Sequence, residues 1–443
     1  MAYKRFLSAL VALLLVPNLS QAQKKEVNYD ESAVAPYVLE DPLVFADGRK
    51  VRSKEQWEAR RQEILGIFQR EMYGKIPPAG KGVYLKTIEE GPTLAGLGIR
   101  RQVRMWFRAD RTGPKVDWLI VTPSHTKGPV PVVMLFNYTG NHQILKDEEI
   151  LVTDSWMPSI FPCVKDNKVH DDTRGLYNRD GEVTIYPVGM LVARGYALVT
   201  ACYCDVSPDP DAKDVKNGVK LQDTFAYTGI FDLWGPRDTS RDDNTTSLAA
   251  WAWVLMRGMD MIEKDPTLDQ GRVILTGYSR LAKAALIAGA YDDRFPVVVP
   301  VQTGGGGVPL AKRNFGESVA TEVVSFRHWY CRAYDKYAGK TDMMPFDQHM
   351  LLSCVAPRAL LVEGFDKPWF DTKGEYLSVK AASPVWEFLG KKGMPDVEWP
   401  DDYDTSAIGP DLGYVRRPNE HGISPIDWEW MLDFANGVWK RKK

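Results

Sequence analysis

The chain has 443 residues, 44% of them hydrophobic, with 56 basic and 58 acidic side chains and a formal net charge of −2. That length and apolar share allow one large α/β domain or two smaller ones. The basic residues are scattered, and only the terminal "KRKK" clusters, so the charge pattern argues against a nucleic-acid binder.

The opening stretch "MAYKRFLSALVALLLVPNLSQAQ" reads as a secretory signal over residues 1–22. Lys4 and Arg5 form its charged start, Phe6 to Val16 is too short to span a bilayer, and Ser20 and Ala22 offer the small residues of a cleavage site. The expectation is an exported protein, periplasmic or secreted. No second apolar run of ~18 residues follows, so stable membrane insertion is not expected. The five cysteines are an odd number, which leaves at least one thiol unpaired, and "ACYC" at 201–204 reads as small buried hydrophobes. Their spacing to histidine is not that of a zinc site, so no metal is expected.

Residues 53–74, "SKEQWEARRQEILGIFQREMYG", have helical periodicity. Ser53 is the candidate N-cap, Trp57, Ile64 and Phe68 form one apolar face, and Gly74 is the stop. "VRMWFRA" and "VDWLIVTP" alternate as a hairpin pair, 103–109 and 116–123. "VPVVMLFNY" is a continuous apolar run, as in a strand buried on both faces. Residues 189–203 read as the end of a helix, a turn at Arg194-Gly195 and a buried strand. Residues 245–265 form a strong helix, "RVILTG" a strand, and "SRLAKAALIAGAY" the helix after it. "FPVVVPVQTG" and "RALLVEGF" are further buried strands, and "IDWEWMLDFANGVWKRK" is a final helix. Strands separated by helices imply a mostly parallel sheet covered on both faces. The expectation is one α/β-hydrolase domain over 23–443, with polar loop insertions near 139–188 and 205–244.

In "GYSRLAKAAL", Ser279 stands where a strand runs straight into a helix. That is the setting of a nucleophile elbow, whose tight turn needs small neighbours, here Gly277 and Ala282. The full G-x-S-x-G pattern fails at Leu281, and a serine N-cap on an ordinary helix is the plain alternative. A serine nucleophile needs a base and an acid to orient it. Three histidines follow it: His328, His349 and His421. His421 lies in a polar loop before the last helix and is the candidate base. His349 is flanked by a packed helix, and His328 reads as supporting. Asp366, just past a buried strand, is the candidate acid, with Asp371 and Glu363 as rivals.

These segments together resemble carbohydrate esterase family 15, the glucuronoyl esterases, and its bacterial branch more than the fungal. The likeness runs from about residue 130 to the C-terminus. It is carried by "GYSRLAKAAL" with "YDDRF", "NFGES" with "RHWY", "PFDQH", "APRALLVEG", "WFDTKGEYL" and the closing "H…DW". The resemblance implies a secreted α/β-hydrolase that cleaves carboxyl esters of (4-O-methyl)glucuronic acid in plant cell-wall polysaccharide, with no metal or cofactor, and a monomer is expected. It implies that Ser279 is the nucleophile, that Arg280 stabilises the oxyanion, and that His421 is the base. Lys283, Glu317 and Trp369 match sugar-contacting positions, where an indole face and a polar pair suit a pyranose ring.

Two departures stand out. The family often has an acid 23 positions after the serine, where this chain has Gln302, and usually glycine where this chain has Ala282. With Gln302 neutral, Asp366 is left as the acid. The same chemistry on a different ester, a pectic methyl ester or an acetylated xylan, is the alternative. A non-catalytic sugar-binding homologue is a further one.

Overall fold

The computed structural model describes residues 27–176, 185–418 and 421–441. The expected signal segment, 1–22, lies outside them. In chain order the elements are α1 (Lys54–Glu71), β1 (Tyr84–Thr93), β2 (Gly98–Trp106), β3 (Lys115–Pro123), β4 (Val130–Asn137), α2 (Val188–Ala193), β5 (Ala197–Cys202) and the short ribbon of β6 (Val215–Lys216) and β7 (Val219–Lys220). They continue with α3 (Ser247–Ile262), β8 (Leu268–Tyr278), α4 (Arg280–Tyr291), β9 (Val297–Val301), α5 (Val319–Ser325), α6 (Gln348–Ser353), β10 (Ala359–Phe365), α7 (Thr372–Phe388), β11 (Leu412–Arg417) and α8 (Pro425–Arg441).

A nine-stranded sheet runs in the order β1-β2-β3-β5-β4-β8-β9-β10-β11. The pairs from β5 to β11 are parallel, and the pairs β1–β2, β2–β3 and β3–β5 are antiparallel. This is the mostly parallel α/β-hydrolase arrangement. Strand alternation divides the core between the two faces. Val132, Met134 and Phe136 of β4 pack with residues of α1, α3, α4, α6 and α7, while Val133 and Leu135 pack with α2 and α8.

Ser53 caps α1 by accepting the Gln56 N–H at 3.3 Å, and Trp57, Ile64 and Phe68 are buried as the periodicity requires. The expected hairpin is β2 and β3, with Trp106 opposite Lys115. Sequence reading missed β1, whose "YLKTIEEGPT" mixes charges with a Gly-Pro pair. Such a strand is tolerated at a sheet edge, where one side needs no partner. It also missed β11 at the other edge. All five cysteines are free thiols, and Cys202 and Cys204 are buried. Among the described residues, no helix is long and apolar enough to cross a membrane.

Candidate active site

Ser279 joins β8 to α4 with φ 57° and ψ −131°, a conformation that side-chain-bearing residues rarely adopt. Its N–H donates to the Val301 carbonyl at 3.0 Å, and its own carbonyl accepts from Ala282 and Lys283 at 3.0 and 3.2 Å. The turn is therefore held from both sides. An ordinary N-cap serine has extended backbone and a hydroxyl bonded into the first turn. Ser279 has neither, since its side chain makes no capping bond to α4. Crossing backbones impose the small neighbours: a Cβ on Gly277 would lie 2.7 Å from the Leu281 carbonyl carbon and oxygen. Ala282 is fully buried, so its methyl is accommodated within the packing.

Arg280 opens α4, where the helix dipole disfavours a cation. An anion compensates. Arg280 Nη1 donates to Asp209 Oδ2 at 2.5 Å, and the guanidinium lies over the Trp329 ring at 4.8 Å. Asp209 comes from the loop after β5 and is buried. Its Oδ2 also accepts from the Tyr203 hydroxyl at 2.9 Å, and its Oδ1 accepts from His328 Nε2 at 2.6 Å and Trp329 Nε1 at 2.8 Å. Burial alone raises the pKa of such a carboxyl. Arg280 and then His328 outweigh it and hold Asp209 well below the usual carboxylate range.

The His421 ring packs among Phe370, Phe365 and Tyr278, with centroids 4.9, 5.7 and 5.8 Å away, tilted against the first two and edge-on to the third. Tyr278 directly precedes Ser279, so the ring packs against the elbow itself. The residue as a whole is exposed, with the ring contacts on one side. Burial of the ring, then the cations Arg280, Lys367, Lys283 and Arg417, lower its pKa to about 4. The ring makes no hydrogen bond to a described residue. Its loop is held instead through Gly422. Gln302, buried with φ 52°, accepts from the Gly422 N–H at 2.9 Å and donates to the Gly422 carbonyl at 3.1 Å. Arg417 also donates to that carbonyl, and it pairs with the buried Asp427 at 2.8 Å.

Asp366 is not brought to the imidazole. Its N–H still pairs with the Arg417 carbonyl, so it continues the strand pleat one residue beyond β10. Alternation puts Phe365 on the α8 side, against His421, and turns Asp366 to the opposite face. There its largely exposed carboxylate stands 3.8 Å from Arg416. The rivals are engaged elsewhere. Asp371 pairs with Arg313 at 2.8 Å and caps α7. Glu363 is fully buried, both its oxygens lack a partner among the described residues, and burial, then Asp427, push its pKa well above the usual range. His349 is buried, with Nε2 donating to the Glu40 carbonyl at 2.7 Å.

The remaining candidates gather on one side of Ser279. Lys283, one turn along α4, has its ammonium 3.7 Å from Glu317 Oε2, both side chains being buried. The Glu317 N–H donates to the Trp369 carbonyl at 2.8 Å, which fixes the two loops to each other. Trp369 itself is half-buried. Arg313 braces the same loops from behind, through Asp371 and through Glu31 of the N-terminal segment at 2.7 Å. Behind this wall, between residues 27–35 and 313–320, lies a cavity of about 770 Å³ that does not include Ser279.

A strained serine, a packed histidine, an anchored arginine and a buried Lys–Glu pair therefore share one sheet edge. The model of the family "Glucuronyl esterase, fungi" matches residues 221–390. "Carbohydrate esterase MZ0003", from an unknown prokaryotic organism, is 35% identical over 424 residues, which is 94% of this chain and 93% of that protein. A promiscuous CE15 esterase from a marine bacterial metagenome superposes with a TM-score of 0.83 at 34% identity, over 93% of this chain and all of that one. The chain belongs to carbohydrate esterase family 15. A glucuronoyl esterase from Solibacter usitatus gives the same TM-score at 32% identity, over 93% of this chain and 100% of that one. The 4-O-methyl-glucuronoyl methylesterase of Schizophyllum commune is 25% identical over 461 residues, covering 96% of this chain and 97% of that protein.

Sequence reasoning missed the anion beside Arg280. Asp209 sits in "SPDPDAKD", which reads as a solvated loop, and nothing local ties it to Arg280. The only signal was an arginine at a helix N-terminus, which asks for a nearby anion.

Proposed function

We propose that this chain hydrolyses carboxyl esters of (4-O-methyl)glucuronic acid in plant cell-wall polysaccharide, by an acyl-enzyme at Ser279 and outside the cytoplasm. The observation that carries the reading is the elbow itself. Ser279 is held in a strained turn whose hydroxyl is left out of helix capping, with Arg280 beside it and the Lys283–Glu317 pair on the same side.

His421 takes the Ser279 proton as the oxygen attacks the uronate carbonyl carbon. The carbonyl electron pair moves to oxygen. That oxyanion is met by the Arg280 guanidinium and by N–H groups at the start of α4. The tetrahedral centre collapses, the alkoxide leaves, and the imidazolium returns its proton to it as the free alcohol. Water then attacks the acyl-enzyme by the same route and releases the acid and Ser279. A His421 with a depressed pKa is neutral, and so ready as a base, through the whole neutral range. Its orientation is supplied by ring packing and by the Gln302 grip on Gly422 rather than by a bonded carboxylate. Lys283, Glu317 and Trp369 are placed for a pyranose, the first two toward its hydroxyls and the indole toward its C–H face.

Export rests on the charged and apolar pattern of residues 1–22. The substrate reading is tested by comparing benzyl or methyl glucuronate, methyl galacturonate and acetylated xylan. Glucuronate esters are expected to give the highest kcat/KM. Faster turnover of acetylated xylan or of the galacturonate ester would replace this substrate assignment while keeping the chemistry.

A further inference from the structure

Arg280 poses a problem that its own helix cannot solve. A guanidinium at a helix N-terminus is repelled by the dipole, and a long side chain free to turn away from the elbow is a poor oxyanion donor. Nη1 of Arg280 donates to Asp209, 71 residues earlier in the chain, and Nε is buried with no partner among the described residues. The carboxylate is itself immobile, because four donors from Arg280, Tyr203, His328 and Trp329 fill both oxygens. Trp329 serves twice, donating its indole N–H to Asp209 and placing its ring under the guanidinium. It also lies 5.1 Å from the Lys283 ammonium.

We propose that Asp209 is the positioning residue of the oxyanion site, holding Arg280 with one guanidinium edge tied back and the other turned to the developing negative charge. Asp209 touches no reacting atom. It works through Arg280, and so rests on the role given to Arg280 above. The buried pair stays charged, which matters because a neutralised or displaced guanidinium would give the oxyanion little. An asparagine at 209 cannot reproduce the arrangement. One of its two polar atoms is an NH₂ group, which would face donors whichever way the amide is turned.

The test is a double-mutant cycle on kcat with benzyl glucuronate, using full-length D209N, R280A and the double variant, each checked for cooperative thermal unfolding. D209N is expected to lose ~10- to 100-fold in kcat with KM moved by less than ~3-fold. In the R280A background the same change should cost less than ~3-fold, because the residue through which it acts is gone. D209E, which restores the charge at a shifted position, should recover part of the loss. Full additivity in the R280A background, or wild-type kcat in D209N, would overturn the proposal. Wild-type kcat in R280A would instead remove the oxyanion role on which it rests. Should D209N fail to fold, Y203F removes one donor from the oxygen that holds Arg280. It should lower kcat in the wild-type background and leave R280A unaffected, and an equal loss in both would count against the proposal.

Discussion

Gln302 grips Gly422 at both of its backbone polar groups, accepting from the N–H at 2.9 Å and donating to the carbonyl at 3.1 Å. The neighbour of Gly422 is His421, so a fully buried amide on β9's exit holds the loop of the proposed base without touching its ring. A glutamate here would look like the repair of a missing triad acid. It cannot donate, however, and would set a carboxylate against the Gly422 carbonyl oxygen. Gln302→Glu is expected to lower kcat by ~10-fold or more. Steady-state kinetics decide it, and a kcat above wild type would show that the position serves as a triad acid instead.

The pH dependence follows from His421. Its folded pKa, about 4, is below the ordinary histidine value, because burial and then Arg280, Lys367, Lys283 and Arg417 disfavour the imidazolium. If His421 is the base, as proposed, it is active when neutral, and activity should be lost only as pH falls through the folded pKa. The acid limb of kcat/KM should therefore turn near pH 4 rather than near 6.5. A limb at 6.5 or above would mean that a carboxylate stabilises the imidazolium in the working enzyme.

Gly277 cannot carry a side chain without moving backbone. Its Cβ would sit 2.7 Å from the Leu281 carbonyl carbon and oxygen, neither of which is the end of a flexible chain. Gly277→Ala should cost on the order of 2 kcal/mol in urea unfolding. It should also displace Ser279 enough to depress kcat. Wild-type stability would show that β8 and α4 separate more easily than the packing implies.

Asp366 faces Arg416 across 3.8 Å and is mostly exposed, an arrangement of small energetic weight. Asp366→Asn is accordingly expected to reduce kcat/KM by less than ~10-fold, since its carboxylate pairs with Arg416 and not with His421. A loss of several orders of magnitude would place its carboxylate on His421 during turnover.

Much of this could be read from local pattern. The buried strands and the helices at 53–74 and 245–265 announce themselves through hydrophobic period, and Ser279 through a strand that meets a helix without a spacer. The 17-residue helix α7 was passed over as well, but the other elements that escaped have a warrant that is not local. β1 and β11 close the edges of the sheet with charged or short sequences. Asp366 looked well placed because it follows a buried strand, but the pleat continues one residue further and turns it away. Asp209 becomes meaningful only when the fold brings the loop after β5 to the start of α4. Glu317 and Trp369 are singled out only by family likeness, whereas the Arg313 brace behind them, reaching Glu31 and Asp371, required the structure.

The nucleophile carries the whole account, and Ser279→Ala tests it most directly. With benzyl glucuronate as substrate, the variant should unfold as cooperatively as the wild type and lose at least ~10³-fold in kcat. Turnover within tenfold of the wild type by the folded variant would contradict an acyl-enzyme at this serine.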